Sequence, residues 1–161
     1  MPQPCYLTLK SSKGEIIKGS CEDIGHKDEI KIHAVEHTVA IPRNPQTGQP
    51  SGQRVHGAIT LTKEVDKSSP LIFQALAKGE KFTEVKLAFF RLNGSALVQY
   101  YTITLKNAAV ATARVWVPNC LLATNGGLGH MEDISFSYET IIWDAPIDAV
   151  ETEDSWRDAS A

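Results

Sequence analysis

Cysteine is scarce in this chain and badly placed for bridges. Cys5, Cys21 and Cys120 are three in 161 residues, odd in number and far apart, which excludes a disulfide framework and fits free thiols in a reducing compartment. No apolar run approaches the length that spans a bilayer, and Met1-Pro2-Gln3-Pro4 has neither the basic nor the hydrophobic region of a secretory signal. A soluble product of the cytoplasm without a membrane anchor is therefore expected. Sixteen basic against nineteen acidic residues leave a net charge of −3, too even a balance for a nucleic-acid or acidic-membrane partner.

Catalytic and metal-binding patterns are missing as well. Gly48 and Gly52 lack the lysine and the following helix of a phosphate loop. Gly126-Gly127-Leu128-Gly129 precedes a strand, the wrong order for a dinucleotide turn. No serine sits in a nucleophile elbow, and no cysteine has a histidine nearby in a recognisable motif. His33 and His37 have a zinc-like spacing only if they lie on a helix. On a strand, at about 3.3 Å per residue, they stand roughly 13 Å apart and cannot share a metal. Asp28-Glu29 and Glu132-Asp133 fall at strand starts, where solvated charge is ordinary. No catalytic residue, metal or cofactor is expected.

What is present is alternation. Cys5, Leu7 and Leu9 oppose Tyr6, Thr8 and Lys10, and the turn Ser11-Ser12-Lys13-Gly14 leads to Glu15-Ile16-Ile17, which reads as a hairpin. The pattern resumes from Asp28, slips phase near Val35 and Glu36, and continues to Ile41, as at a bulge or sharp bend. Arg54 to Val65 alternates with Val55, Gly57, Ile59 and Leu61 on one face. Three long strands follow, Phe82 to Leu92, Leu97 to Lys106 and Ala108 to Val117, the first two joined across Asn93-Gly94. Met131 to Trp143 reads as the last strand, and residues 144–161 as an acidic tail.

One helix interrupts the strands. Ser69 suits an N-cap, Pro70 the first helical position, Lys78 the last turn and Gly79 the left-handed closing residue. Ile72, Phe73, Ala75, Leu76 and Ala77 share an apolar arc that must dock on something larger, and Leu71 falls on the opposite side, beside Gln74 and Lys78. The expected fold is mainly β, an antiparallel β-barrel of two packed sheets with one short helix, in a single domain over residues 1–161. Apolar residues also occupy both faces of strands: Val98 and Tyr100 oppose Leu97, Tyr101, Ile103 and Leu105, and Trp116 opposes Val115 and Val117. One short helix cannot cover that surplus, so self-association is expected. Leu71, Val98, Tyr100 and Trp116 are the candidate contacts.

The run Thr47-Gly48, Gly52-Gln53-Arg54-Val55-His56, then Thr62-Lys63-Glu64-Val65-Asp66-Lys67-Ser68-Ser69-Pro70-Leu71 and Gly79, resembles the central signature of the Hcp family, the haemolysin-coregulated tube proteins of type VI secretion systems. Tyr6-Leu7, Ile17-Lys18-Gly19-Ser20, Glu36-His37, Ile41-Pro42, Tyr138-Glu139, Ile142-Trp143 and Ser155-Trp156 follow the family order, so the likeness spans nearly the whole chain. Gly57, where members often carry proline, and a short, glycine-rich 119–129 segment depart from it. The resemblance implies a β-barrel subunit of a homohexameric ring. Such rings stack into a tube that a contractile sheath drives outward behind a VgrG spike, with small effector proteins in the lumen and export without a signal peptide. It also implies that the toxic C-terminal domains of some relatives are missing here.

The proline-rich, polar stretch from Pro42 to Gln53 is a long surface loop of the kind that usually serves function. With Arg43, Gln46, Gln49 and Gln53 as donors, it is the expected contact between stacked rings. Two other classes stay open: a monomeric β-barrel binding a small ligand in its mouth, which would need no apolar residues outside the barrel, and an enzyme with a dispersed site.

Overall fold

The structure, a computed structural model, describes residues 3–156. Readings that involve Met1, Pro2 and the end of the acidic tail (157–161) lie outside the described residues. The first strand, β1 (Cys5–Lys10), pairs with β2 (Ile16–Ile17) as the alternation requires. Beyond them come β3 (Ile30–Ile32), β4 (Ala34–Glu36), β5 (Val39–Ala40), β6 (Val55–His56) and β7 (Ile59–Glu64). The helix α1 (Ser69–Lys78) then leads into β8 (Lys81–Asn93) and β9 (Ala96–Trp116), with β10 (Met131–Ser137), β11 (Thr140–Ala145) and β12 (Val150–Ser155) completing the order.

The main sheet has ten strands, running β2-β1-β8-β9-β10-β7-β4, with β3 on the edge of β1, β11 on β9 and β12 on β11. All of these pairs are antiparallel. The expected closed barrel does not form. Segment 30–36 pairs with β1 through its first half and with β7 through its second, and it bends at His33, whose N–H bonds Thr62 O at 2.8 Å. Each half offers only three residues to one neighbour, so a single bent segment spans the two ends of the sheet and no ladder closes. The second sheet is not a packed layer but the two-stranded β5–β6 pair at the stem of an arm.

Strand β9 runs unbroken where two strands were expected. Asn107 takes φ 49° at the predicted break, and burial changes phase there, from Ile103 and Leu105 to Ala108 and Val110, without loss of the ladder. Tyr100 is the unmatched residue of a bulge, because Phe89 pairs with Tyr101 and Phe90 with Gln99. The last predicted strand divides in the opposite sense. Tyr138 and Glu139 separate β10 from β11, and the inward residue after the break is Ile141 rather than Ile142. The acidic tail is not all tail, since Val150–Ser155 pairs along β11 as an edge strand. Edge strands tolerate charge on both faces, which hid β12 from an apolar-pattern reading.

One cluster of buried side chains fills the space inside the curled sheet, with Leu9, Ile59, Leu61, Leu87, Leu105, Ile134 and Phe136 all out of contact with solvent. Ile72 and Ala75 of α1 belong to it; Phe73 and Leu76 are half-buried and Ala77 is exposed. The apolar arc is thus narrower than the wheel suggested. The N-cap is Ser68 rather than Ser69, and it makes no side-chain cap bond. Ser69 Oγ is committed elsewhere, accepting from Asp66 N at 3.0 Å and donating to Glu132 at 2.8 Å. Gly79 closes the helix at φ 65°, as its position predicts.

Candidate interaction surfaces

Residues 39–56 form an arm instead of a structureless loop. Beyond the β5–β6 stem, Arg43 and Pro50 make a further bridge, and Asn44 N bonds Gln49 O at 2.8 Å. The tip is an Asx turn: Asn44 Oδ1 accepts from Gln46 N at 2.8 Å and Thr47 N at 3.3 Å, with Gly48 at φ 71°. Of the four expected donors, Arg43 spends one N–H on Gly48 O at 3.1 Å. Gln46, Gln49 and Gln53 present exposed side chains. The stem differs from the tip, for Val39, Ile41 and Val55 are large apolar residues left exposed.

The arm is rooted by a hydrogen-bonded chain that sequence patterns did not reveal. His56, only 4% exposed, contacts Tyr138 Oη through Nδ1 at 2.7 Å and Asp154 Oδ2 through Nε2 at 2.6 Å. His37 Nε2 reaches the same phenol oxygen at 2.8 Å. Arg54 grips Asp154 with two N–H groups, at 2.5 and 2.8 Å, and donates to Ser155 O at 2.8 Å. Bonds from Arg54, outweighing burial, hold the Asp154 carboxyl below its usual range. Phenol, imidazole and carboxylate stand in line at the root of the arm. Burial, with the Asp154 charge, pushes the Tyr138 phenol up, and its oxygen lies between two imidazoles.

Exposed apolar side chains gather at the two ends of β9. At one end Leu92 and Leu97, register partners across the β8–β9 turn, stand in the open, beside half-buried Val98 and Tyr100. Arg91 lies 5.3 Å over the Tyr100 ring. At the other end are Val115, Val117, Leu121, Leu122 and Leu128, with Leu121 91% exposed. Trp116 is half-buried there, under Arg114 at 5.9 Å. Leu71 belongs to neither group; it is 47% exposed on α1 and shares a cleft with Ile16. The structure thus brings Val98 and Tyr100 together and sets Trp116 and Leu71 apart from them. Leu121-Leu122, an apolar pair inside a loop read only for its glycines, was the overlooked signal.

The Glu132 expected in solvent is fully buried against fully buried Lys63, its register partner across β10 and β7. Lys63 Nζ bonds Glu132 Oε1, Asp66 Oδ1 at 3.0 Å, Glu64 O at 2.8 Å and Ser69 Oγ at 3.2 Å. Lys63, Asp66, Ser68 and Ser69 of the signature run therefore bind the start of α1 to the sheet. His33 faces Glu64 at 3.7 Å, while His37 belongs to the Tyr138 chain. No helix among the described residues is long and apolar enough to cross a membrane.

The chain is a curled antiparallel sheet with one docked helix, a projecting arm and apolar residues exposed outside its core. The chain belongs to the Hcp family of type VI secretion: the family model described as "Type VI secretion system effector, Hcp" matches residues 6–144. It is 34% identical to the "Major exported protein" of Pseudomonas aeruginosa, over 98% of this chain and 97% of that protein. A solved "Hcp protein" superposes with a TM-score of 0.89 at 30% identity, covering 97% of this chain and 99% of the other. The secreted protein Hcp3 of Pseudomonas aeruginosa superposes at 0.78 and 27% identity, covering 97% and 99%. Membership of this family is consistent with a structural rather than a catalytic chain.

Proposed function

We propose that this chain is the structural subunit of a type VI secretion inner tube: a protein exported by that apparatus, forming homohexameric rings that stack and carry effector proteins in their lumen. Sheath proteins and the VgrG spike are its further partners on this reading. Family membership supports it, and the carrying observation is that, among the exposed apolar residues, Leu92 and Leu97 stand at one end of β9 and Val115, Val117, Leu121, Leu122 and Leu128 at the other, two different patches. A two-fold dimer needs one self-complementary patch, whereas two distinct patches suit head-to-tail contacts that repeat until they close. Val98, Tyr100 and Trp116 are then subunit contacts at the ends of β9, and Leu71 a separate one on α1. The polar arm tip, with Arg43, Gln46, Gln49 and Gln53, serves ring-to-ring contact. The small-ligand reading loses ground because the interior is filled by Leu9, Leu61, Leu87 and Leu105.

Native mass spectrometry at tens of micromolar tests the ring. A sixfold multiple of the subunit mass is expected, and a chain that stays monomeric would sink the proposal. Replacing Leu97 and Leu121 with lysine, each alone, should yield monomers. A mixture of the two variants should recover at most dimers, because only one intact pair of patches remains.

A further inference from the structure

Five asparagines occur in the chain, and the fold ties down all but one. Asn44 precedes Pro45, which has no N–H, and its Oδ1 is the acceptor of the Asx turn. Asn107 donates to Glu139 at 3.2 Å and is followed by the fully buried Ala108. Asn119 Oδ1 accepts from Leu121 N at 3.0 Å, and Asn125 Nδ2 donates to Asn119 O at 3.0 Å. Gly126, which follows Asn125, donates its N–H to Ala123 O at 3.2 Å. Asn93 differs on every count. It stands exposed at the β8–β9 turn, its side chain has no hydrogen-bond partner among the described residues, and the residue after it is Gly94.

An asparagine followed by glycine holds an electrophile and a nucleophile side by side. Once the Gly94 N–H gives its proton to a solvent base, the nitrogen can bond to Asn93 Cγ. The bond from Cγ to the side-chain nitrogen then breaks, and ammonia leaves with a proton from water. Water opens the resulting five-membered succinimide at either carbonyl. One product is aspartate; the other is isoaspartate, with the main chain rerouted through Cγ. No oxidant or reductant enters, and the chain gains one negative charge. Gly94 sits at φ 66° with open space where a Cβ would stand, so nothing hinders the closure. Asn93 must turn about its own Cα–C bond to make it, and it is the last paired residue of the hairpin, opposite Ala96. Only that terminal pair has to open, the least costly local unfolding a hairpin has. At Asn125 the same dipeptide is braced on both reacting groups.

We propose that Asn93 is a self-modifying site, converted to aspartate and isoaspartate in the free subunit and protected in the ring. Leu92 and Leu97, the exposed register partners next to it, carry the consequence. Isoaspartate adds a carbon to the main chain beside the two-residue turn, which breaks the register of the hairpin tip. The new carboxylate stands beside the two leucines, where burial in a contact leaves it without a partner. A chain altered in this way loses the patch at this end of β9. Protection rests on the reading of that patch as a subunit contact, since a tip packed between subunits cannot open its terminal pair. Subunits left unassembled thus lose the capacity to join rings, and assembled ones keep it.

Peptide mapping by mass spectrometry tests the site, on full chains kept in heavy-oxygen water so that conversion before digestion is labelled. The Leu121→Lys chain, expected to be monomeric, keeps the β8–β9 turn. In it Asn93 should convert at least about tenfold faster than Asn125, whereas in urea the two should convert at similar rates. Asn93→Gln closes a six-membered ring only slowly and should remove the label from that peptide. A silent Asn93, or equal folded rates at Asn93 and Asn125, overturns the site. Should Leu121→Lys fail to fold, wild-type chain diluted until it runs as a monomer takes its place. Wild-type rings should convert Asn93 about tenfold more slowly than the monomer. Equal rates in ring and monomer overturn the protection and remove this end of β9 from the contact, while the site stands. A wild type that is monomeric at every concentration sinks the ring, and Asn93 should then convert in it as in the variant. Chain aged while dilute and then concentrated should form rings depleted of isoaspartate, and rings that carry it in full proportion overturn the loss of assembly.

Discussion

Lys63 and Glu132 lie opposite each other in neighbouring strands, and neither reaches solvent. Taking both charges from water costs several kcal/mol, so the pair holds only as a complete set with Asp66 and Ser69. Lys63→Met should cost about 3–5 kcal/mol, because it strands Glu132 in the core. Adding Glu132→Leu should recover most of that loss, read as the midpoint of urea unfolding. The acid limb has a defined sign. Burial, then the neighbouring His56, lower the pKa of His37 in the fold, so its contribution is whole above the unfolded value of about 6.5 and is lost as pH falls through the folded one. Asp66 is lowered too: burial raises it, but bonds from Ser68 and Lys63 outweigh burial. Its contribution is whole above about pH 4 and lost below. Unfolding midpoints followed from about pH 8 to 3 should therefore fall in two stages, and only the first should disappear in His37→Gln.

The helix is the element in which sequence and fold agree best, and it separates two neighbouring residues. Ile72 is fully buried in the core and Leu71 is half in solvent. Ile72→Ala should cost about 2–5 kcal/mol, whereas Leu71→Ala should stay within about 0.5 kcal/mol in the monomer and show its effect only in assembly. Equal shifts in thermal unfolding would contradict that division. Strands with strict alternation and good turns were legible too, as at β1–β2 and across Asn93-Gly94, where Gly94 takes φ 66°. Three things were not legible. Asn107 and the Tyr100 bulge change which face is inward without any apolar signal. The acidic β12 is specified by pairing along β11 rather than by burial. Glu132 is inward only because Lys63 lies opposite, a cross-strand fact that no single strand states. The root of the arm was hidden for the same reason, since His37, His56, Tyr138 and Asp154 meet only after folding.

At the scale of the whole molecule, the proposed ring would divide the labour between two kinds of surface. The patches at the ends of β9 are apolar and exposed, the composition of contacts that stay closed once made. The arm tip is polar, is folded on its own Asx turn, and carries Pro42, Pro45 and Pro50, which limit what it loses on docking. A contact made by Gln46, Gln49 and Gln53 should be weak and wet, as suits rings that assemble and later come apart. The exposed Val39, Ile41 and Val55 make the stem different; in the proposed ring they would pack within it while the tip reached beyond. Replacing Thr47 to Ser51 with a two-residue glycine link removes the tip and spares the β5–β6 pairs. The ring mass should be unchanged by native mass spectrometry, while long stacks should be lost in electron micrographs and secretion abolished in cells. A shortened chain that falls to monomers would transfer the whole arm to ring closure, and one secreted at the normal level would remove the tip from assembly altogether.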